Sequence, residues 1–318
     1  MKGDELNKFD VDLLIDKSAG LNIEPTIGII LLCYNQEDFI EMALQGIWNQ
    51  NIDVSVEVLI ADDCSTDATS SAIVKFIEKN NTNFRVKYYR QKKNKGMMNN
   101  FAFALTNVRG KYFALCEGDD YWTSSLKLAK QFNYLENNLD VNICFHEVEV
   151  INEKNEVIRD EIYKRLDGLD LKKLTRDDLL RRGNFMHTVS VMYRNQDVSL
   201  PLEFYQSSIG DYFIHILLSN SGLIAKLDIK MAVYRRGTGV YSTLGPLEMT
   251  NKIIRYQAVL LSWISDKTGR DILFDKLIHS INGLENIMGS THNSPRALSK
   301  SLSWKKIGKT VILKLLKK

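Results

Sequence analysis

The chain has 318 residues, 44% apolar and 25% charged, a balance that excludes a disordered or low-complexity protein. Its 42 basic and 39 acidic residues leave a net charge of +3, and no apolar run approaches the roughly 18 residues that a membrane-crossing helix needs. Four widely spaced cysteines (Cys33, Cys64, Cys116, Cys144) form no CxxC pair, which gives no zinc signature and predicts free thiols in a reducing, cytoplasmic setting.

Residues 1–24 are polar with a weak helical stripe (Phe9, Leu13, Leu14) and read as an extension packed on the surface, without the pattern of a secretory leader. Thr26 to Cys33 is a continuous apolar run of strand length, suited to a central parallel strand covered on both faces. Tyr34-Asn35-Gln36-Glu37 ends it, and Phe39, Met42, Ala43, Ile47 and Trp48 continue at helical spacing. A second strand, Val56 to Ala61, runs into Asp62-Asp63-Cys64-Ser65-Thr66-Asp67, where Ser65 or Thr66 is expected to cap the next helix. A third strand, Arg85 to Tyr89, leads through the basic, amide-rich loop Gln91 to Asn100 to a helix over Phe101 to Val108. The fourth strand, Tyr112 to Cys116, ends in Glu117-Gly118-Asp119-Asp120-Tyr121-Trp122, and a later strand is expected over Val189 to Tyr193.

Four strand–helix repeats predict a Rossmann-like doubly wound α/β sheet, in which ligands bind beyond the carboxyl ends of the strands. Four polar turns meet on that rim, and three carboxylates within four residues suit a hard divalent cation such as Mg²⁺ or Mn²⁺. A solvated acidic turn would explain the carboxylates alone; their place on a shared rim favours a site. The chain has neither Gly-x-Gly-x-x-Gly after its first strand nor a GxxxxGK[ST] segment, which disfavours a dinucleotide dehydrogenase and a P-loop enzyme.

Residues 25 to about 242 resemble the family 2 inverting glycosyltransferases, bacterial enzymes of the A-type glycosyltransferase fold. The resemblance rests on Leu32-Cys33-Tyr34-Asn35, on Ala61 to Asp67, on Asn94-x-Gly96-x-x-x-Asn100, on Glu117 to Trp122 and on Gly210-Asp211-Tyr212. It implies a nucleotide-diphospho-sugar donor, with a UDP-sugar expected first. Tyr34 and Asp63 would hold the base, and Asn35, Glu37, Lys93, Asn94 and Asn100 would add contacts to the nucleotide sugar. Glu117 stands in the first place of the family's Asp-x-Asp motif, and Asp119, in its last place, would ligate Mn²⁺ or Mg²⁺. Asp211 would be the general base that deprotonates an acceptor hydroxyl, with His187 on the acceptor side. A satisfied structural histidine explains His187 equally well, and a helix-dipole contact is the plainer account of Asp211. Where relatives carry Tyr-Arg-x-His, this chain has Tyr234-Arg235-Arg236-Gly237. Arg235 or Arg236 then becomes a candidate for the diphosphate, beside the plainer reading of a solvated basic loop.

The expected organisation is an N-terminal extension (1–24), a catalytic domain (25–245) and a helical C-terminal region (246–318). Eight basic residues and no acidic one follow Pro295, leaving a body of about −5. Trp304, Ile307, Val311, Ile312 and Leu315 share one helical face and Lys305, Lys306, Lys309 and Lys317 the other, a pattern that fits an interfacial membrane anchor or a helix docked on the domain. The expected function is metal-dependent glycosyl transfer to a glycan or lipid-linked acceptor at the inner face of a membrane, in cell-surface polysaccharide synthesis. No nucleic-acid partner is expected. A degenerate member that binds a nucleotide sugar or a partner without turnover is the alternative, and a nucleotidyltransferase is disfavoured because no basic Gly-rich loop follows the first strand.

Overall fold

The structure, a computed structural model, describes residues 10–18, 24–196, 199–239 and 244–291, with side chains to 284. The predicted apolar runs are its central strands. In chain order the elements are β1 (Val11–Asp16), β2 (Ile27–Cys33), α1 (Ile40–Trp48), β3 (Val56–Asp62), α2 (Thr69–Lys79), β4 (Arg85–Gln91), α3 (Met97–Asn107), β5 (Tyr112–Glu117), β6 (Tyr121–Trp122) and α4 (Lys127–Asn137). They continue with β7 (Val141–Ile151), α5 (Arg176–Arg182), β8 (Met192–Arg194), α6 (Leu202–Gln206), α7 (Gly210–Leu218), β9 (Leu223–Arg235), α8 (Pro246–Trp263) and α9 (Lys267–Thr291).

Among the described residues nine strands form one sheet, in the order β1-β4-β3-β2-β5-β8-β7-β9-β6. β4, β3, β2 and β5 are mutually parallel, and β8 turns the sheet antiparallel beside β5, so the sheet is mixed. Alternation of side chains along the strands divides the core in two. Ile29, Leu31, Val58 and Ile60 pack under α1 and α2, whereas Ile30, Leu59 and Ala61 pack under α3 and the later helices.

Four local expectations are corrected. Residues 11–16 form an edge strand paired antiparallel with β4 in place of a helical stripe, with Leu13 opposite Tyr89. The cap of α2 falls to neither Ser65 nor Thr66; Asp67 Oδ1 accepts the Thr69 amide at 3.0 Å and Glu37 Oε2 accepts the Ala68 amide at 2.6 Å. The helix α3 begins at Met97, one turn before Phe101. The strand expected over 189–193 is a 3₁₀ turn, Thr188–Ser190, followed by the short β8.

Two pairings position the carboxylates at the end of β5. β6 pairs antiparallel with β9, Tyr121 opposite Val233, which brings Asp119 and Asp120 beside Arg235. On the other side, Gly46 of α1 lets the helix approach the β6 backbone, because a Cβ there would lie 2.7 Å from the Trp122 carbonyl oxygen. After β9 the chain enters α8 and α9, which pack on each other and against α6 and α5 respectively. Residues 304–317, the proposed amphipathic helix, lie outside the described residues, as do residues 1–9.

Candidate active site

The rim is built from side chains that hold turns and side chains that face open space. Asp62, the last residue of β3, is of the first kind. It is fully buried, accepts from the Ser65 amide at 2.8 Å, the Ser65 hydroxyl at 2.6 Å and the Tyr88 hydroxyl at 3.0 Å, and pairs with Arg90. Asn35 adopts a left-handed φ of 52°, a conformation that Asn tolerates better than most residues. Its amide donates to Ser65 Oγ and its Oδ1 accepts the Thr66 amide at 2.8 Å, which joins the turn after β2 to the turn after β3.

Three further expected nucleotide contacts are committed in the same way as Asn35. Asn100 is buried, donates to the Ala61 carbonyl at 2.8 Å and accepts from Gln91, so it fixes α3 to the sheet. Glu37 serves the start of α2. Arg235 is 2% exposed; its Nε donates to the Asp119 carbonyl at 3.1 Å, its Nη1 to Asn155 Oδ1 at 2.7 Å, and its guanidinium stacks 4.4 Å from the Phe39 ring. Buried, and with Nε and Nη1 engaged, this guanidinium braces the acidic cluster as scaffold rather than standing open to a diphosphate. Arg236, next in the chain, lines the cleft instead.

Of the other rim residues, Tyr34, Lys93 and Asn94 stay exposed, whereas Asp63 is buried beneath the loop after β4. Tyr34 is 43% exposed at the end of β2. Asp63 Oδ1 accepts the Lys95 amide at 2.7 Å, which draws the 92–96 loop over β3. Burial pushes its carboxyl up, against the backbone donors of Lys95 and Gly96. Lys93 and Asn94 are exposed on that loop, Asn94 accepting the Gly96 amide at 3.0 Å.

The acidic cluster at the end of β5 is desolvated. Glu117 is pushed up to about 8 by burial and by the charges of Asp119 and Asp211. Burial raises Asp119 as well, while Thr238 Oγ1 donates to its Oδ2 at 2.6 Å. Asp120 rises further, through burial and its two acidic neighbours; its Oδ1 accepts the Arg235 amide at 2.8 Å and its Oδ2 has no hydrogen-bond partner among the described residues. Such crowding of buried carboxylates costs free energy that a divalent cation would offset. Among the described residues no three His, Cys, Asp or Glu side chains converge into a complete cage. That donor set fits Mg²⁺ or Mn²⁺, which bind through one or two carboxylates and take further oxygens from phosphates and water.

Beside the cluster opens a cleft of about 910 Å³, lined by Glu117, His187, Asp211, Tyr234 and Arg236 among others. Asp211 sits in the first turn of α7, and its Oδ2 accepts from Thr188 Oγ1 at 3.1 Å and from Asn184 Nδ2 at 3.2 Å. His187 Nε2 lies 2.8 Å from Asp160 Oδ2, with its ring 4.4 Å from that of Tyr234. Arg236 Nη2 donates to the other Asp160 oxygen at 2.7 Å. Hydrogen bonds from His187 and Arg236 hold Asp160 well below the usual carboxylate range, against the effect of burial. Glu117, Asp211 and His187 therefore share one cleft, whereas Tyr34, Asp63, Lys93, Asn94 and Asp119 lie outside its lining. Asp160 and Thr238 carried no signal in the sequence, since each acts through a partner far away in the chain.

A doubly wound sheet extended by further, partly antiparallel strands, with a carboxylate cluster at its carboxyl rim and a cleft beside it, has the A-type glycosyltransferase architecture. The glycosyl transferase family 2 model matches residues 28–198, more than half of the chain, and the chain belongs to that family. A Mycobacterium tuberculosis protein of uncharacterised role is 40% identical over 210 residues, 66% of this chain; the chain spans about 58% of that relative's length. The abequosyltransferase RfbV of Salmonella typhimurium is 27% identical over 204 residues, 61% of this chain and 60% of the relative. Staphylococcus aureus TarS, solved with UDP-GlcNAc, has a similar fold at a TM-score of 0.58 and 17% identity, covering 80% of this chain and 72% of that one. The Pyrobaculum calidifontis mannosyltransferase PcManGT, solved with GDP-Man and Mn²⁺, matches at a TM-score of 0.53 and 15% identity, covering 90% and 81%.

Proposed function

We propose that this protein is a metal-dependent inverting glycosyltransferase that moves a sugar from a nucleotide-diphospho-sugar to a hydroxyl of a glycan or lipid-linked acceptor, in surface polysaccharide synthesis. The observation that carries the reading is the placement of Asp211 and Glu117 on one cleft, with Asp119 at the adjoining strand end. Family membership and the nucleotide sugars held by TarS and PcManGT support it.

In this reading Tyr34 and Asp63 hold the base, while Lys93 and Asn94 lie over the ribose and phosphates. Asp119, kept in place by Thr238, would hold Mn²⁺ or Mg²⁺, which stabilises negative charge on a diphosphate leaving group. Glu117 orients the donor at the cleft mouth. Asn184 and Thr188 both donate to Asp211 Oδ2, which leaves Oδ1 as the atom that takes the acceptor's proton. The hydroxyl then attacks the anomeric carbon from the face opposite the diphosphate, and one displacement inverts its configuration. The C–O bond to the diphosphate breaks as the new one forms, and the proton resides on Asp211.

A catalytically silent member that only binds nucleotide sugars is favoured by one observation, Gly237 in place of the family's His. A panel of UDP- and GDP-sugars, assayed for hydrolysis and transfer with Mn²⁺ and again with EDTA, separates the two. Metal-dependent turnover of at least one donor is expected; nucleotide binding without turnover of any would select the silent reading. We also propose peripheral attachment to anionic membranes through residues 304–317, whose placement lies outside the described residues. Deleting 296–318 is expected to release the protein from phosphatidylglycerol vesicles, and undiminished binding would exclude that anchor.

A further inference from the structure

Five cations line the cleft: Arg159, Lys164, Arg165, Arg236 and Lys276. Three of them are paired with carboxylates of its wall. Arg159 and Lys164 share Glu161, at 3.3 and 2.9 Å, and Arg236 pairs with Asp160 at 2.7 Å. Arg165 and Lys276 have no carboxylate within ion-pair distance among the described residues. Arg165 Nη1 donates to the Asn184 carbonyl at 2.7 Å, and the Lys276 ammonium makes no hydrogen bond to any described residue.

The two heads nonetheless converge. They come from different elements, Arg165 from the 3₁₀ turn Ile162–Leu166 and Lys276 from α9, and meet over Gly183 at the end of α5. A Cβ built on Gly183 would lie 3.0 Å from Arg165 Nη1 and 3.9 Å from Lys276 Nζ. Gly183 has a φ of +82°, which glycine adopts freely, and its missing side chain keeps this corner open. Burial and the Arg165 charge push the Lys276 ammonium down to about 8. Two like charges held together without a counter-ion are unfavourable unless an anion joins them.

We propose that Arg165 and Lys276 form an anion subsite on the acceptor side of the cleft, which takes a phosphate carried by the acceptor. Its position suits that role. Arg165 holds the backbone of Asn184, and the Asn184 side chain holds Asp211, so a phosphate docked there is one residue removed from the group that receives the hydroxyl proton. The guanidinium fork can bond two phosphate oxygens while the ammonium adds a point charge. The inference names the acceptor class for the transfer reaction above and rests on that reading; the phosphate can belong to a lipid diphosphate or to a phosphorylated soluble glycan.

Calorimetric titration of the full chain in EDTA tests it, with glucose 1-phosphate and farnesyl diphosphate as probes and glucose and farnesol as controls. The phosphorylated probes should bind at least about tenfold more tightly than their controls. Arg165→Ala and Lys276→Met should each weaken them about tenfold, and Lys276→Arg should retain them. All three variants should bind UDP with Mn²⁺ as the wild type does, which reports an intact fold and donor site. Tighter binding of farnesyl diphosphate than of glucose 1-phosphate supports the lipid source; equal binding supports the soluble glycan. Unchanged phosphate affinity in both charge-removing variants, or no preference for phosphorylated probes, overturns the subsite. Failure of the wild type to bind UDP would count against the donor site instead, and leaves the phosphate comparison readable.

Discussion

At the scale of single residues, the rim assigns different tasks to neighbours of identical charge. Asp62 and Asp63 are adjacent, yet the first is enclosed by Ser65, Tyr88 and Arg90, and the second draws in the Lys95 loop. Arg235 and Arg236 divide likewise between scaffold and cleft. Replacing Arg235 by Leu removes donors from the buried Asp119 carbonyl and from Asn155 at the surface, and is expected to lower stability by about 2–4 kcal/mol. Denaturant titration checks this; a loss under ~0.5 kcal/mol would contradict the scaffold role. Thr188→Val leaves Asp211 with Asn184 as its one donor. We expect a several-fold fall in turnover with unchanged nucleotide affinity.

Residue identity and order made the carboxylates legible in the sequence, because the ends of β2, β3 and β5 follow from apolar runs that anyone can count. What each polar group bonds to was not legible. Asn100 and Glu37 look like ligands in a motif, but Asn100 spends its amide on Ala61 and Gln91, and Glu37 on the start of α2. Those bonds link residues 9 to 39 positions apart and depend on how the turns stack.

At the scale of elements, α4 carries a group with a pH signature. Lys127 is fully buried, its ammonium 4.2 Å from the Trp122 ring and 2.7 Å from Gln131 Oε1, and burial pushes it down to about 7. A free lysine titrates near ~10.4, so between those values the unfolded chain holds a proton that the folded chain has released. Stability therefore rises with pH across that window, and the penalty is fully present below about 7. Lys127→Met is expected to flatten the rise between pH 7 and about 8.5, below the ordinary thiol range, and to be more stable at pH 7. Parallel slopes for the two proteins would refute the assignment. Elements also show where periodicity misleads. Leu13 and Leu14 mimic a helical stripe, yet an open edge at β4 offers residues 11–16 a ladder of backbone hydrogen bonds, and pairing prevails over a weak pattern.

At the scale of the whole molecule, the parallel half of the sheet presents the rim expected for the nucleotide, and the mixed half with α5, α7, α8 and α9 walls the cleft expected for the acceptor. The first half was readable because its strands are continuous apolar runs. The second was not, because β7 and β9 alternate polar and apolar residues and find each other across some 80 positions. The pairing of β6 with β9 then brings Asp119 to Thr238 across more than a hundred positions.

The central claim is that metal-assisted donor binding and acceptor activation are performed by different carboxylates, Asp119 and Asp211. Asp119→Ala and Asp211→Asn, compared with wild type for nucleotide affinity with Mn²⁺ and for sugar transfer, test it directly. Asp119→Ala should lose metal-dependent nucleotide binding, and Asp211→Asn should bind as wild type does while transfer falls by about 10²–10⁴-fold. Wild-type transfer by Asp211→Asn would contradict the account.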